Sequence, residues 1–264
     1  MDNQVKELIN TTVLKMIQQT QTPAKIKEFQ NRHNVKIHFV PKRYRIFGGM
    51  LQALNIKFGN FIEELMATFV QNETNYEILS EFSQKKQNVF ELSTRNDARI
   101  DAYISKCQYE NVDIQTEFPK LLQEIVEDQC QETKTFNHDI DLLFKNRETE
   151  TVYYLEMKYN DDHDTGKFVD INRKFIKTYA YLAKKLEITD STKLVPILFF
   201  FTNKKMKGNI YVPEETNIRR GQGFFEDFLS VSYQDVDTYL NTLSESDDVV
   251  HMFHDLYEKV MALN

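Results

Sequence analysis

The sequence predicts an α/β fold of the α+β kind: a mixed central sheet flanked by helices, with a helical N-terminal region. Three observations predict it. Residues 138–144 and 152–159 are two β-rich runs flanking a polar connection, Lys145 to Glu150, which reads as an antiparallel hairpin with a longer loop. Residues 194–201 form a short apolar run of the kind found in central strands. Helical periodicity surrounds both, with Ile171, Phe175, Tyr179 and Leu182 on one face of a segment from about Asp170 to Leu186.

The remaining elements follow in order. Val5, Leu8, Ile9, Val13 and Met16 recur at helical spacing. Thr22-Pro23 supplies a cap and a first-position proline for the next helix. Val35 to Val40 alternates as a short strand does, and Pro41 would end it. Gly48-Gly49 reads as a loop or a tight approach, and a long helix follows from about Gly59 to Phe69. Ser93 is placed to cap a helix holding Ile100, Tyr103 and Ile104, and Phe118 to Asp128 is helical. From Gly223 onward the chain is helical again, with Val249, Phe253, Leu256 and Val260 in register. The expected organisation is a single domain, 1–264. Residues 1–80 form a mainly helical N-terminal part, 81–225 the catalytic core and 226–264 a helical C-terminal part.

A 264-residue chain with twenty Phe and thirteen Tyr has ample material for one large core. Its net charge of -7 excludes coating nucleic acid by bulk charge but allows a local basic lining. Cys107 and Cys130 have neither metal spacing nor a disulfide framework, which suits a reducing cytoplasm. The N-terminus lacks the apolar core of a signal peptide, and Leu194 to Phe201 is too short to span a bilayer. A soluble cytoplasmic protein with no membrane partner is expected.

The hairpin carries the chemistry. Residues two apart on a strand share a face, roughly 7 Å apart. Asp139, Asp141 and Leu143 share one face of the first run; Val152, Tyr154, Glu156 and Lys158 share one face of the second. Pairing that aligns these faces brings Asp141, Glu156 and Lys158 together, with Ile140, Leu142, Phe144, Leu155 and Met157 packing the other side. Mg²⁺ is a hard cation that takes carboxylate oxygens, water and substrate phosphate. Asp141 and Glu156 would supply such oxygens, with the Met157 carbonyl as a further ligand. The ion would offset charge on a phosphodiester and acidify water, and Lys158 would orient or help deprotonate that water. The triplet alone is a weak signal, because Glu132-Thr133-Lys134 matches it in a polar stretch with no strand around it. An exposed sheet face with a Glu-Lys pair is the competing reading.

At these residues the chain resembles the PD-(D/E)xK nuclease superfamily, whose pattern is an acid on one strand and Glu-x-Lys on the next. The Pro-Asp start is replaced by His138-Asp139 or Ile140-Asp141, so Asp141 is the favoured metal ligand and Asp139 the reserve. The block from Glu156 through Phe168, Asn172-Arg173-Lys174-Phe175, and Asn217-Ile218-Arg219-Arg220-Gly221 is similar to type II restriction endonucleases of the HinfI and TdeIII sort. The resemblance covers about residues 136 to 225. It implies a homodimer that cuts both strands of double-stranded DNA at a short near-palindromic site, GANTC, using Mg²⁺. A cognate DNA methyltransferase would be its functional partner.

Other candidates are set around this site. Glu63, with Glu64 as its alternative, lies where the superfamily often places a helix glutamate, and Gly59 would let that helix approach closely. Lys42, Arg43 and Arg45, interleaved with Tyr44, form a basic loop suited to clamping phosphates or reading guanine edges. Lys167, Arg173, Lys174, Lys204, Lys205, Arg219 and Arg220 are further DNA-binding candidates, with Arg173 and Lys174 one turn into their helix. Asp161-Asp162-His163-Asp164 reads as a loop that positions Lys167, and His251 with His254 as helix surface. Two further functions compete with restriction: a structure-specific or repair nuclease of the same fold, and a non-catalytic DNA-binding protein on a nuclease scaffold. Alanine at Asp141 or Lys158 is expected to abolish cleavage and spare folding.

Overall fold

The computed structural model describes residues 1, 3–83 and 88–263, which form two compact units. Residues 1–65 and 231–264 make the first, and residues 66–230 the second.

The first unit is helical. It holds α1 (Asn3–Thr20), α2 (Pro23–Asn34), most of α3 (Lys42–Asn72), α8 (Tyr233–Ser244) and α9 (Asp247–Met261). Thr22 caps α2 through its side chain, with Pro23 in the first turn. Ile26 and Phe29 of α2 pack with Ile46 and Met50 of α3 and with Leu256 and Val260 of α9.

Two expectations fail in this unit. Residues 35–40 form no strand, because their alternating apolar side chains have no ladder to join. Ile37 and Phe39 are 104% and 94% exposed. Pro41 precedes a helix instead of ending a strand, its carbonyl accepting from the Tyr44 and Arg45 N–H groups. Helix α3 therefore starts seventeen residues before Gly59 and runs through Gly48-Gly49. The buried side chains of Ile46 and Met50 offset the poor helix propensity of two glycines. A Cβ at Gly49 would come within 3.1 Å of the His33 ring and 3.2 Å of Phe29, so that glycine does serve a close approach. At Gly59 a Cβ would meet nothing within 4 Å among the described residues.

The second unit contains the sheet. Strands β1 (Tyr76–Ile78), β4 (Leu142–Asn146), β5 (Val152–Lys158), β6 (Leu194–Phe200) and β7 (Ile218–Arg220) lie in the order β1-β4-β5-β6-β7. β1, β4 and β5 pair antiparallel; β5, β6 and β7 pair parallel. A separate ribbon pairs β2 (Val89–Ser93) with β3 (Thr133–Asn137). Glu132-Thr133-Lys134 thus leads into a strand, contrary to expectation, although Glu132 and Lys134 are exposed.

Helices α4 (Thr94–Tyr109), α5 (Ile114–Val126) and α6 (Thr165–Lys185) build one core with the sheet, where Phe175 and Tyr179 of α6 join Tyr154, Leu198 and Phe200. Ser93 caps α4 as its position suggested. On the opposite face α7 (Gly221–Phe228) packs Phe224 against Phe199 at 4.8 Å and Phe228 against Tyr153 at 5.0 Å. Helix α6 begins five residues earlier than the apolar pattern shows, because Asp164 caps it by accepting from the Lys167 N–H. Arg173 and Lys174 consequently sit two turns into α6, not one.

The hairpin is present, but its first strand is displaced. Chain direction bends at Asp141, β4 begins at Leu142, and Asn146 organises the turn by accepting from the Glu148 and Thr149 N–H groups. Because of the bend, Ile140 packs in the same core as Leu143 and Tyr154 and not with Leu142 and Phe144.

Candidate active site

The alternation of β5 places Tyr154, Glu156 and Lys158 on the α6 side of the sheet, while Tyr153, Leu155 and Met157 turn toward the other face. β4 runs antiparallel alongside, with Leu142 opposite Leu155 and Leu143 opposite Tyr154. One step further along this register sets Asp141 opposite Glu156. There the Asp141 carboxylate accepts a hydrogen bond of 2.6 Å from the Met157 backbone N–H.

Lys158 closes the group. Its ammonium lies 2.6 Å from Glu156 Oε1, 2.7 Å from the Met157 carbonyl oxygen and 3.7 Å from Asp141 Oδ2. Glu156 is only 5% exposed. Its other oxygen accepts from the Tyr154 hydroxyl at 3.2 Å and lies 3.3 Å from His138 Nε2. Burial pushes the Glu156 carboxyl up, but the Lys158 ammonium and the His138 ring outweigh it and hold the acid at about 2. Burial beside that carboxylate keeps the Tyr154 phenol well above its ordinary value, so it remains a donor.

The profile described as "Type II restriction endonuclease, HinfI" matches residues 1–244. The chain belongs to this HinfI family of type II restriction endonucleases. The type II restriction enzyme HinfI of Haemophilus influenzae is 55% identical over 264 residues, spanning 100% of both chains. No solved structure matches the chain. As a member of the HinfI family, the protein is a site-specific endonuclease of double-stranded DNA, which sets aside the repair-nuclease and non-catalytic readings.

Endonucleases of this type use a divalent metal, and the donor set fits one. Two carboxylates and a backbone carbonyl gather about the Lys158 ammonium, which stands in for a cation among hard oxygen ligands. Among the described residues no three His, Cys, Asp or Glu side chains form a cage. One or two carboxylates, completed by water and substrate phosphate, suit magnesium-type binding. Asp139 is half-buried and lies outside β4. Glu63 is half-buried and Glu64 exposed, both on α3 in the first unit.

The basic candidates separate into two groups. Arg173 bonds Asp101 and Asp170, each at 3.1 Å, and Arg219 bonds Asp227 at 2.6 Å. Arg220 lies over the Phe200 ring and pairs with Asp161 at 3.1 Å and Glu214 at 3.3 Å. These three arginines serve the fold's own carboxylates. Lys167, Lys174 and Lys204 are exposed, as is Lys205, which lies 3.3 Å from Glu214. Lys42 and Arg45 are half-buried and Arg43 is exposed, all in the first turn of α3 and not in a loop.

The structure gives Tyr154, His138 and Asp161 partners that the sequence does not assign to them. Tyr154 was legible as the residue two before Glu156 on the same strand face. His138 carried no signal, because its reach to Glu156 depends on the bend before β4. Asp161 looked like part of an acidic loop, yet it is 0% exposed and accepts from the Met206 and Lys207 N–H groups.

Proposed function

We propose that this endonuclease cuts both strands of DNA at GANTC with Mg²⁺, held by the Asp141 and Glu156 carboxylates and the Met157 carbonyl. One observation carries the assignment of the site: the Lys158 ammonium sits within 2.7 Å of both Glu156 Oε1 and the Met157 carbonyl, and 3.7 Å from Asp141.

When bound, the ion supplies positive charge to a phosphate oxygen and acidifies water. The protein's own groups do the rest. Glu156 stays ionised at any working pH, since Lys158 and His138 hold it low. Asp141, anchored by the Met157 N–H, presents its carboxylate at a fixed height beside β5. Lys158, partly exposed at the edge of the group, offers N–H donors to the scissile phosphate and to the attacking water.

Cutting both strands of a near-palindrome calls for two copies of this site related by a twofold axis, so the working form is a homodimer. The GANTC specificity follows from the likeness to HinfI, and a methyltransferase of the same specificity would protect the host's own sites. Digesting a plasmid with Mg²⁺ and sequencing the fragment ends tests the reading. Discrete fragments ending at GANTC support it. Discrete fragments ending elsewhere refute the specificity, and digestion unaffected by chelation refutes the metal.

A further inference from the structure

The first unit contains a cavity of about 360 Å³ between α2, α3 and the segment joining them. Its polar lining includes Arg32, His33, Lys36, His38 and Arg45, and among the described lining residues there is no Asp or Glu. In a protein of net charge -7, such a concentration of cations is a local reversal. Glu28, outside the lining, pairs with Arg32 at 3.0 Å and shares its carboxylate with Lys25.

The cavity is built, not merely charged. Gly49 leaves the room in which the His33 ring and Phe29 sit against α3. Arg32 lies over the Phe29 ring at 4.9 Å. Arg45 is fixed by donating from one terminal nitrogen to the Lys36 carbonyl at 3.0 Å. Its Nε and the His33 Nδ1 are buried and have no hydrogen-bond partner among the described residues. Two buried polar atoms without partners cost free energy unless a water or a ligand satisfies them. Burial, then the charges of Lys36, Arg45 and Arg32, hold His33 below its ordinary value, as expected of a ring facing gathered cations.

We propose that this cavity binds a phosphate of the DNA backbone, with Arg32, Lys36 and Arg45 as its charged contacts and His33 as a neutral one. The inference rests on the endonuclease reading and adds a backbone anchor outside the strand site. Its charge suits a phosphodiester, and at about 360 Å³ it has room for a flanking sugar as well. Beside it the exposed Phe39 stacks on His38 at 4.8 Å, and Ile37 is exposed as well. That apolar rim suits sugars and bases flanking a phosphate and argues for a polymer over the free anion.

The test uses the full-length protein and labelled duplexes, with Ca²⁺ to permit binding without cutting. Anisotropy titrations over a range of salt are compared for wild type, Lys36→Ala, Arg32→Ala and Lys36→Arg. Lys36 is exposed, so its replacement leaves folding intact, which thermal melting verifies. Each alanine should lower the salt slope by about one unit, equivalent to an affinity loss of about eightfold at 0.1 M salt relative to 1 M. The loss should be equal for cognate and random duplexes, and Lys36→Arg should restore the slope. Unchanged slopes in both alanine variants of an enzyme that still cuts plasmid into discrete fragments overturn the pocket alone. A wild type that yields no discrete fragments overturns the endonuclease reading and the anchor with it. Loss of binding confined to cognate duplexes refutes a backbone role.

Discussion

The Asp141 carboxylate accepts a 2.6 Å hydrogen bond from the Met157 backbone N–H, so the acid of one strand holds the strand that carries Glu156 and Lys158. Asp141 therefore has a structural duty besides its proposed catalytic one. Asp141→Ala should do more than abolish cleavage: it orphans a backbone donor and should cost about 1–3 kcal/mol of stability. Asp141→Asn retains an acceptor oxygen and should melt near wild type, yet cleave about 10²–10³-fold more slowly. Thermal melts and plasmid digestion of both variants separate the two duties.

Lys158→Met leaves the buried Glu156 without its shortest partner. About 3 kcal/mol of stability should be lost at pH 7, together with cleavage. The sign of the pH dependence is opposite in the two proteins. In wild type the Glu156 acid is held at about 2, below its ordinary 4.5. Its contribution is full above 4.5 and disappears as pH falls toward 2. In the variant the desolvated acid rises, so acidification through its raised value relieves the burial of charge. Urea midpoints of the two proteins should converge as pH is lowered from 7 toward 4.

His138 lies 3.3 Å from Glu156 and steadies it from the side opposite Lys158. His138→Ala should lower turnover by about 10–100-fold and raise the Mg²⁺ concentration needed for half-maximal rate. DNA affinity in Ca²⁺ should be unchanged. An equal loss in affinity and turnover would assign His138 to DNA contact instead.

The half-buried Arg220 pairs at 3.1 Å with the buried Asp161, which also caps the chain at Met206 and Lys207. Burial raises the Asp161 carboxyl, but the two backbone N–H groups and Arg220 bring it below its ordinary 3.8. Its stabilisation is present above 3.8 and lost as pH falls below it. Asp161→Asn should cost about 3 kcal/mol in urea unfolding at pH 7, and less near pH 3. Arg220→Met should weaken folding more than it changes the salt dependence of DNA binding.

The convergence of Asp141, Glu156 and Lys158 was legible because strand side chains obey a period of two. Glu156 and Lys158 on one β-rich run, and Asp141 on the run before it, suffice to infer a shared face. What the pattern hides is the bend at Asp141, which moves the start of β4 and turns Ile140 into the core with Tyr154. The edge elements were invisible for a different reason. β1 has three residues, and β3 is the polar run Thr-Lys-Thr-Phe-Asn, so neither has an apolar face long enough to recognise. The start of α3 was obscured by Gly48-Gly49, whose low helical propensity is overruled by the burial of Ile46 and Met50. Val35, Ile37 and Phe39 show the converse failure: a strand-like alternation that finds no partner strand and stays exposed.

The most direct measurement of the account is anomalous diffraction from crystals of the full-length protein with uncut duplex and Mn²⁺ in place of Mg²⁺. A peak bonded to Asp141, Glu156 and the Met157 carbonyl is expected, with Lys158 displaced toward the scissile phosphate. A peak that leaves Asp141 or Glu156 out of its coordination shell would contradict it.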